Sequence, residues 1–288
     1  MENVLEIKDL RKDYEGFTLR DVSFSLPRGF IMGLIGPNGA GKTTIIKLIL
    51  NVVKKSAGEI KVFGADSLEN EVVVKSRIGF VHDTPFFYEY LSLKQLKATV
   101  APFYKNWDDD LFHRLIREFD LPLKKAFSKL SRGMKMKFAL ALALSHRADF
   151  IILDEPTSGL DPVFGRELLG RLSEFIQDER KSVLFSTHIT SDLERIADFI
   201  TFIDQGRIVF SSAKDEILEQ WGVVKGPNEL LSEDNKDFFR GFRKREFGFE
   251  ALCSSVSEAR RRFGQRVVIE KPSLEDIMFY MTRRGKDA

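Results

Sequence analysis

Apolar residues are grouped along the chain in short runs and in longer helical patterns, and these two arrangements predict its elements. Residues 3–8 and 18–26 near the N-terminus are typical of strands. Further apolar runs predict strands at residues 30–35, 58–63, 77–81, 150–153 and 183–186. Residues 201–210 are typical of a hairpin around a glycine turn.

From about residue 91 to residue 147 the pattern changes to the spacing of amphipathic helices, as residues 110–119 illustrate. Another helix is expected over residues 165–177. Because apolar strands alternate with helices on both sides of this stretch, we expect a parallel sheet covered on both faces. Residues 91–147 are then a helical insertion into that sheet domain.

Composition and charge limit the class of protein. The 288 residues include 45 Lys and Arg against 43 Asp and Glu, a net charge of +2, which argues against a nucleic-acid surface driven by bulk charge. Cys253 is the single cysteine, so neither an intramolecular disulfide nor a cysteine zinc cluster is expected. The sequence starts without a signal-like segment, and its longest uncharged apolar stretch, Phe138–Ser145, is far shorter than the about 20 residues that span a bilayer. We expect no membrane crossing by this chain.

A glycine-rich motif follows the third predicted strand and precedes a helical pattern. It matches the phosphate-binding form G-x-x-x-x-G-K-[ST], whose backbone N–H groups surround phosphates. The predicted ATP site consists of Gly36, Pro37, Asn38, Gly39, Ala40, Gly41, Lys42 and Thr43, with Thr44 next in the helix. Lys42 is expected to reach the β- and γ-phosphates and Thr43 to bind Mg²⁺. The motif predicts a nucleoside triphosphate site.

Two adjacent acids end the apolar strand at residues 150–153. Asp154 is expected to hold Mg²⁺ at the phosphates, and Glu155 to polarise the attacking water. The alternative is a strand that ends in two solvated acids, which is common by itself. The glycine loop upstream favours the catalytic interpretation.

Together with further motifs in the right order, these residues resemble the ATP-binding subunit of ABC transporters over residues 1–212. Leu130-Ser131-Arg132-Gly133-Met134 stands where that family has its LSGGQ signature. Ser158-Gly159-Leu160-Asp161 resembles the family's D-loop, with Asp161 as its acid, and His188 its switch histidine. Tyr14 stands where the family places an aromatic that stacks on adenine, with Phe17 as a competing candidate.

The resemblance implies ATP and Mg²⁺ as cofactors and a head-to-tail dimer, either a homodimer or a heterodimer with a related subunit. In such a dimer Ser131, Arg132 and Gly133 would face the γ-phosphate of the ATP bound to the partner subunit. His188 would contact the γ-phosphate and the water as a second catalytic residue. Integral membrane subunits are the expected partners, which places the chain in the cytoplasm on the inner face of the cell membrane, without nucleic acid.

This sequence departs from the family pattern at three positions. Arg132 replaces the signature's first glycine and Met134 its glutamine; Arg132 either contacts the phosphate or faces solvent as a tolerated substitute. Asp83 stands at the position of the glutamine that contacts the metal, and its shorter side chain would reach Mg²⁺ directly or through water. Relaxed signatures followed by basic residues, here Lys135 and Lys137, resemble exporter subunits of the ABC-2 class.

The whole sequence therefore predicts an α/β fold. Its parts are a P-loop NTPase core with an N-terminal antiparallel β-subdomain, the helical insertion at 91–147, and a small C-terminal α/β appendage at 213–288. The expected function is an ATPase subunit that drives transport, with a non-transport ABC-type ATPase acting on a ribosome, DNA or a protein as the alternative. The aromatic cluster at residues 86–90 is expected either to receive a helix of the membrane subunit or to join the core.

Overall fold

The computed structural model describes residues 2–282 and divides the chain into two compact units. The first comprises residues up to 189 together with 201–211, and the second comprises residues 190–200 together with those from 212 onward. The sequence-based boundary at residue 212 left residues 190–200 in the ATPase domain. They belong to the second unit because the helix Thr190–Ile196 packs against the C-terminal helix, where the Leu274 amide donates to Glu194 Oε1 at 2.8 Å.

The first unit begins with an antiparallel sheet in the order β2-β1-β4-β5. Its strands are β1 (Asn3–Tyr14), β2 (Phe17–Pro27), β4 (Ala57–Val62) and β5 (Ala65–Asp66). β1 is longer than predicted because register shifts after Ile7 and Leu10 let pairing with β2 resume as far as Tyr14.

The core of this unit is a six-stranded sheet in the order β10-β9-β3-β8-β7-β6. Its strands are β3 (Ile31–Ile35), β6 (Ile78–Val81), β7 (Phe150–Asp154), β8 (Ser182–Thr187), β9 (Phe199–Asp204) and β10 (Arg207–Ala213). β3, β8, β7 and β6 pair in parallel, and every residue of β3, β7 and β8 is buried. The carboxyl ends of these strands therefore lie at one edge, where ligands of such sheets bind.

Helices cover the core sheet and form the insertion. They are α1 (Lys42–Ile49), α2 (Glu71–Ser76), α3 (Leu93–Val100), α4 (Asp109–Glu118), α5 (Arg132–Ser145) and α6 (Pro162–Phe175). The insertion packs on the buried rings of Phe112, Phe127 and Phe138. α6 starts three residues before its predicted start, because Asp161 caps its first turn and Pro162 suits the first helical position.

The second unit contains a four-stranded sheet in the order β12-β13-β11-β14. Its strands are β11 (Gly222–Gly226), β12 (Gly241–Arg245), β13 (Gly248–Cys253) and β14 (Val268–Glu270). Its helices are α7 (Thr190–Ile196), α8 (Lys214–Gln220), α9 (Glu233–Lys236), α10 (Val256–Phe263) and α11 (Leu274–Thr282). Phe239, Phe249 and Phe263 lie in its buried core.

The expected α/β class, with an antiparallel N-terminal sheet, a largely parallel core and a helical insertion, is confirmed. Over residues 2–282 the helices are too short or too polar to cross a bilayer.

Candidate active site

The glycine-rich loop connects the buried strand β3 to helix α1. A Cβ at Gly36 would overlap the Ile203 carbonyl oxygen, so the chain passes this point only with glycine. Gly41 precedes α1 at φ 115°, a conformation that favours glycine. The other residues predicted for the ATP site lie in the same turn or in the first turn of α1: Pro37, Asn38, Gly39, Ala40, Thr43 and Thr44.

Lys42 is buried at the first position of α1, and its ammonium group is held by three oxygens. Nζ donates to the Gly36 carbonyl at 2.8 Å and to the Pro37 carbonyl at 3.3 Å. It also forms an ion pair of 3.2 Å with Glu155 Oε1. A buried ammonium needs such partners, and a bound phosphate offers the same negative oxygens.

Asp154 ends β7 as a buried carboxylate, and Ser186 on the neighbouring strand β8 holds it. The Ser186 hydroxyl donates to Asp154 Oδ1 at 2.6 Å. The same residue accepts the Glu155 amide, at 3.0 Å on its carbonyl and 3.1 Å on its hydroxyl. Ser186 therefore positions both acids. It was not predicted from the sequence, where its only signal is a hydroxyl at the carboxyl end of an apolar strand.

Glu155 joins the phosphate loop to the end of β8. Its Oε2 accepts from the His188 amide at 3.2 Å and lies 2.7 Å from His188 Nδ1, while Oε1 faces Lys42. The Glu155 side chain is 15% exposed and that of His188 41% exposed. Glu155 has φ 47°, an unusual conformation for a residue with a side chain, of the kind found at functional sites. The carboxylate is thus held where solvent reaches it, beside a cation and an imidazole.

The two candidate adenine-stacking aromatics lie at one end of the β1–β2 hairpin, where Tyr14 pairs with Phe17. Tyr14 is 43% exposed, with Lys12 Nζ 5.0 Å from its ring centre. Phe17 is half-buried, and its Cζ lies 3.1 Å from where a Cβ of Gly41 would be. Phe17 therefore lies beside the glycine-rich loop, and Tyr14 is the residue paired with it across the hairpin.

Asp83 lies in the loop after β6, and its carboxylate contacts the residues on either side of it in the sequence. Oδ1 forms a contact with His82 Nδ1 and accepts from the Thr84 amide at 2.6 Å. A role of Asp83 at the metal stays a prediction.

The signature residues lie at the N-terminus of α5. Ser131 is the N-cap, and its hydroxyl accepts from the Met134 amide at 3.2 Å. Gly133 is half-buried, and the space where its Cβ would be is free of atoms from outside its own turn of the helix. Arg132 is exposed and reaches towards Gly159. Asp161 caps α6 by accepting from the Val163 and Phe164 amides at 2.9 and 3.0 Å.

This geometry brings the phosphate loop, two acids and a histidine to the carboxyl edge of one sheet. It offers donors for phosphate oxygens at the start of α1 and a carboxylate for water. Such a site can bind a nucleoside triphosphate and activate a water for hydrolysis.

Comparisons with known proteins agree with this interpretation of the site as one that binds and hydrolyses a nucleoside triphosphate. Residues 19–158 match the family described as ABC transporter. The bacitracin transport ATP-binding protein BcrA of Enterococcus faecalis is 32% identical over 212 residues, covering 73% of this chain and 69% of the relative. The lantibiotic transport ATP-binding protein SrtF of Streptococcus pyogenes is 33% identical over 74% of this chain and 92% of the relative. A solved ATP-binding subunit of an ABC transporter shares 31% identity, with a TM-score of 0.68 over 75% of this chain and 92% of that one.

Proposed function

Because this chain belongs to the ABC transporter family, as one of its ATP-binding proteins, we propose that it hydrolyses ATP to drive transport through separate membrane subunits. The observation that carries this proposal is Glu155, whose carboxylate lies between Lys42 at 3.2 Å and His188 at 2.7 Å. In the catalytic step Glu155 accepts a proton from the attacking water. Lys42 binds phosphate oxygens in place of the loop carbonyls, and His188 is positioned by Glu155 to meet the γ-phosphate.

The residues at the sheet edge fit Mg²⁺. Asp154 supplies a buried carboxylate and Thr43 a hydroxyl, and oxygen is the ligand that Mg²⁺ prefers. Over residues 2–282 no group of three or more His, Cys, Asp or Glu is arranged to hold a metal. Mg²⁺ needs no such group, because one or two protein ligands plus phosphates and waters complete its coordination. Bound there, the ion would neutralise developing charge on the phosphates.

The second ATPase subunit of the proposed dimer would meet the N-terminus of α5. The open space beside Gly133 and the positive end of a helix of 14 residues favour a phosphate there. Ser131 would donate its hydroxyl proton to that phosphate while its oxygen continues to cap the helix. Each ATP would then be enclosed by the phosphate loop of one subunit and the signature of the other.

The proposed membrane subunits would dock on a cavity of about 380 Å³ between the core sheet and the insertion. Its lining is mostly apolar and includes Phe80, Val100 and Tyr104. The nearby loop exposes Phe86, Tyr88 and Tyr90, at 80%, 62% and 76%. Large exposed aromatics mark interfaces. Such a partner would hold the chain at the inner face of the cell membrane.

Export is the proposed direction, because Ser131-Arg132-Gly133-Met134 with Lys135 and Lys137 resembles exporter signatures. Transport of bacitracin and of lantibiotics by the two relatives named above suggests a peptide as the cargo class.

Trapping of the dimer tests the proposal. Glu155→Gln removes the carboxylate that accepts the proton but keeps the side-chain length, so ATP should bind and close the dimer without hydrolysis. Size-exclusion chromatography with light scattering should show an ATP-dependent dimer for Glu155→Gln. Wild type and Glu174→Gln, a change in an exposed carboxylate of α6, should stay monomeric once ATP is consumed. A Glu155→Gln chain that remains monomeric in saturating Mg-ATP would overturn the dimer mechanism.

A further inference from the structure

The guanidinium of Arg132 lies on the backbone of Gly159, in the loop that joins β7 to α6. A methyl group at Gly159 would overlap Arg132 Nη1 and lie 3.1 Å from its Cζ. Gly159 has φ 67°, in the left-handed region that favours glycine. A flat guanidinium therefore packs on a residue without a side chain, and both residues belong to the first unit.

Among residues 2–282, Arg132 has no carboxylate partner within ion-pair distance. Its position is therefore set by its place at the first turn of α5 and by the surface of the loop. The sequence left two roles open for Arg132, a contact with the partner's phosphate or exposure to solvent. The structure adds a third role, a contact within the same chain.

The loop that Arg132 contacts includes the candidate catalytic residue Glu155. It begins at Glu155 and ends at Asp161, the cap of α6. Two backbone hydrogen bonds of 3.2 Å hold it, from the Ser158 amide to the Glu155 carbonyl and from the Leu160 amide to the Thr157 carbonyl. Gly159 lies between the two donor residues in the sequence and is itself exposed. A contact on Gly159 therefore acts on the segment that directly follows Glu155 and is hydrogen-bonded to its carbonyl.

We propose that Arg132 is a positioning residue that couples the helical insertion to the loop carrying Glu155. α5 begins at Arg132, so a movement of the insertion moves the guanidinium and, through it, Gly159. This inference rests on the proposed function for its catalytic consequence, but the contact itself does not depend on that function. The residue that departs from the family signature thus links that signature to the chain's own D-loop.

Hydrogen–deuterium exchange of the nucleotide-free chain tests the contact directly. Arg132→Ala should speed exchange of the Ser158 and Leu160 amides by at least about threefold, because their hydrogen bonds lose the covering group. Arg132→Lys should give a smaller increase, since it lacks the planar group. Arg166→Ala, which removes an exposed arginine within α6, should leave both amides unchanged. Equal exchange in wild type and Arg132→Ala would overturn the coupling.

Gly159→Ala provides the reciprocal test. Its methyl group displaces the guanidinium and also strains the backbone at positive φ. If the contact is real, the change should raise loop exchange more in wild type than in the Arg132→Ala background, where there is no guanidinium to displace. Equal increments in both backgrounds would contradict the proposal.

Kinetics separate this role from direct phosphate binding. A positioning role predicts that Arg132→Ala lowers kcat while KM for ATP stays within about twofold, and that Arg132→Lys partly restores kcat. A raised KM with unchanged loop exchange would overturn the proposal and place Arg132 on the nucleotide. The exchange results need no hydrolysis, so they stand apart from any failure of the ATPase assignment.

Discussion

At the scale of single residues, the candidate catalytic residues are positioned by hydrogen bonds with neighbouring residues. Ser186 holds Asp154 through a 2.6 Å hydrogen bond and also accepts the Glu155 amide. Lys42, Asp154, Glu155 and His188 were predicted from motifs, because phosphate and water chemistry restricts which residue types serve there. Ser186 was not predictable, because a serine that ends an apolar strand has many structural roles and only the pairing of β7 with β8 assigns this one.

His146, the residue after α5, is a buried histidine whose two ring nitrogens both face carbonyl oxygens. Nδ1 lies 3.2 Å from the Leu142 carbonyl, and Nε2 lies 3.0 Å from the Ile78 carbonyl in β6. Tyr104 stacks on the ring at 4.0 Å. Burial lowers the pKa of His146 below its usual 6.5, although the two carbonyls oppose the shift.

This lowered pKa predicts a loss of stability in mild acid. Below pH 6.5 the unfolded chain takes up a proton at this residue before the folded chain does, so the free energy of unfolding falls as the pH falls. The slope from one such group is at most about 1.4 kcal/mol per pH unit. The free energy of unfolding, measured with urea at several pH values between 7.5 and 5.5, should fall less steeply with falling pH for His146→Gln than for wild type. His113→Gln, in an exposed histidine of α4, should keep the wild-type slope; identical slopes in all three chains would refute the prediction.

At the scale of elements, the helical insertion and its flanking loop form the proposed surface for the membrane subunits. The four aromatic residues at 86–90 divide into two groups, which the sequence could not separate because their side chains are alike. Phe87 joins the core of the insertion, with its ring 5.3 Å from that of Phe127 and 5.6 Å from that of Phe138. For Phe87 these contacts favour the core alternative over the interface. Tyr88 and Tyr90 stay exposed and carry the interface prediction.

Substitutions in this cluster should separate assembly from stability. Tyr88→Ala should weaken co-purification with the proposed membrane subunits, while leaving the melting temperature of this chain unchanged. Phe87→Ala should lower the free energy of unfolding by about 3 kcal/mol, because a packed aromatic ring is lost. Phe247→Ala removes an exposed aromatic in the second unit and serves as the control. Wild-type co-purification of Tyr88→Ala would place the membrane partner elsewhere.

At the scale of the whole molecule, two compact units share one chain, and the candidate catalytic residues all lie in the first. The α/β class followed from the sequence, because fully buried parallel strands leave continuous apolar runs and the insertion leaves a helical period. The assignment of residues 190–200 did not follow, because it depends on packing between α7 and α11, which are distant in sequence. Helix and strand patterns in a sequence indicate which residues are buried locally. The boundary at residues 190–200 depends instead on the contact between α7 and α11.

The central claim is that this chain hydrolyses ATP with Glu155 as the residue that activates water. Steady-state phosphate release in Mg-ATP, measured with nucleotide binding on the same samples, tests it most directly. Glu155→Gln should lower kcat by about 100-fold or more, because a positioned general base contributes at least that factor to the rate. ATP should still bind. Glu174→Gln should retain wild-type turnover. A Glu155→Gln chain that binds ATP and hydrolyses it at the wild-type rate would contradict the account.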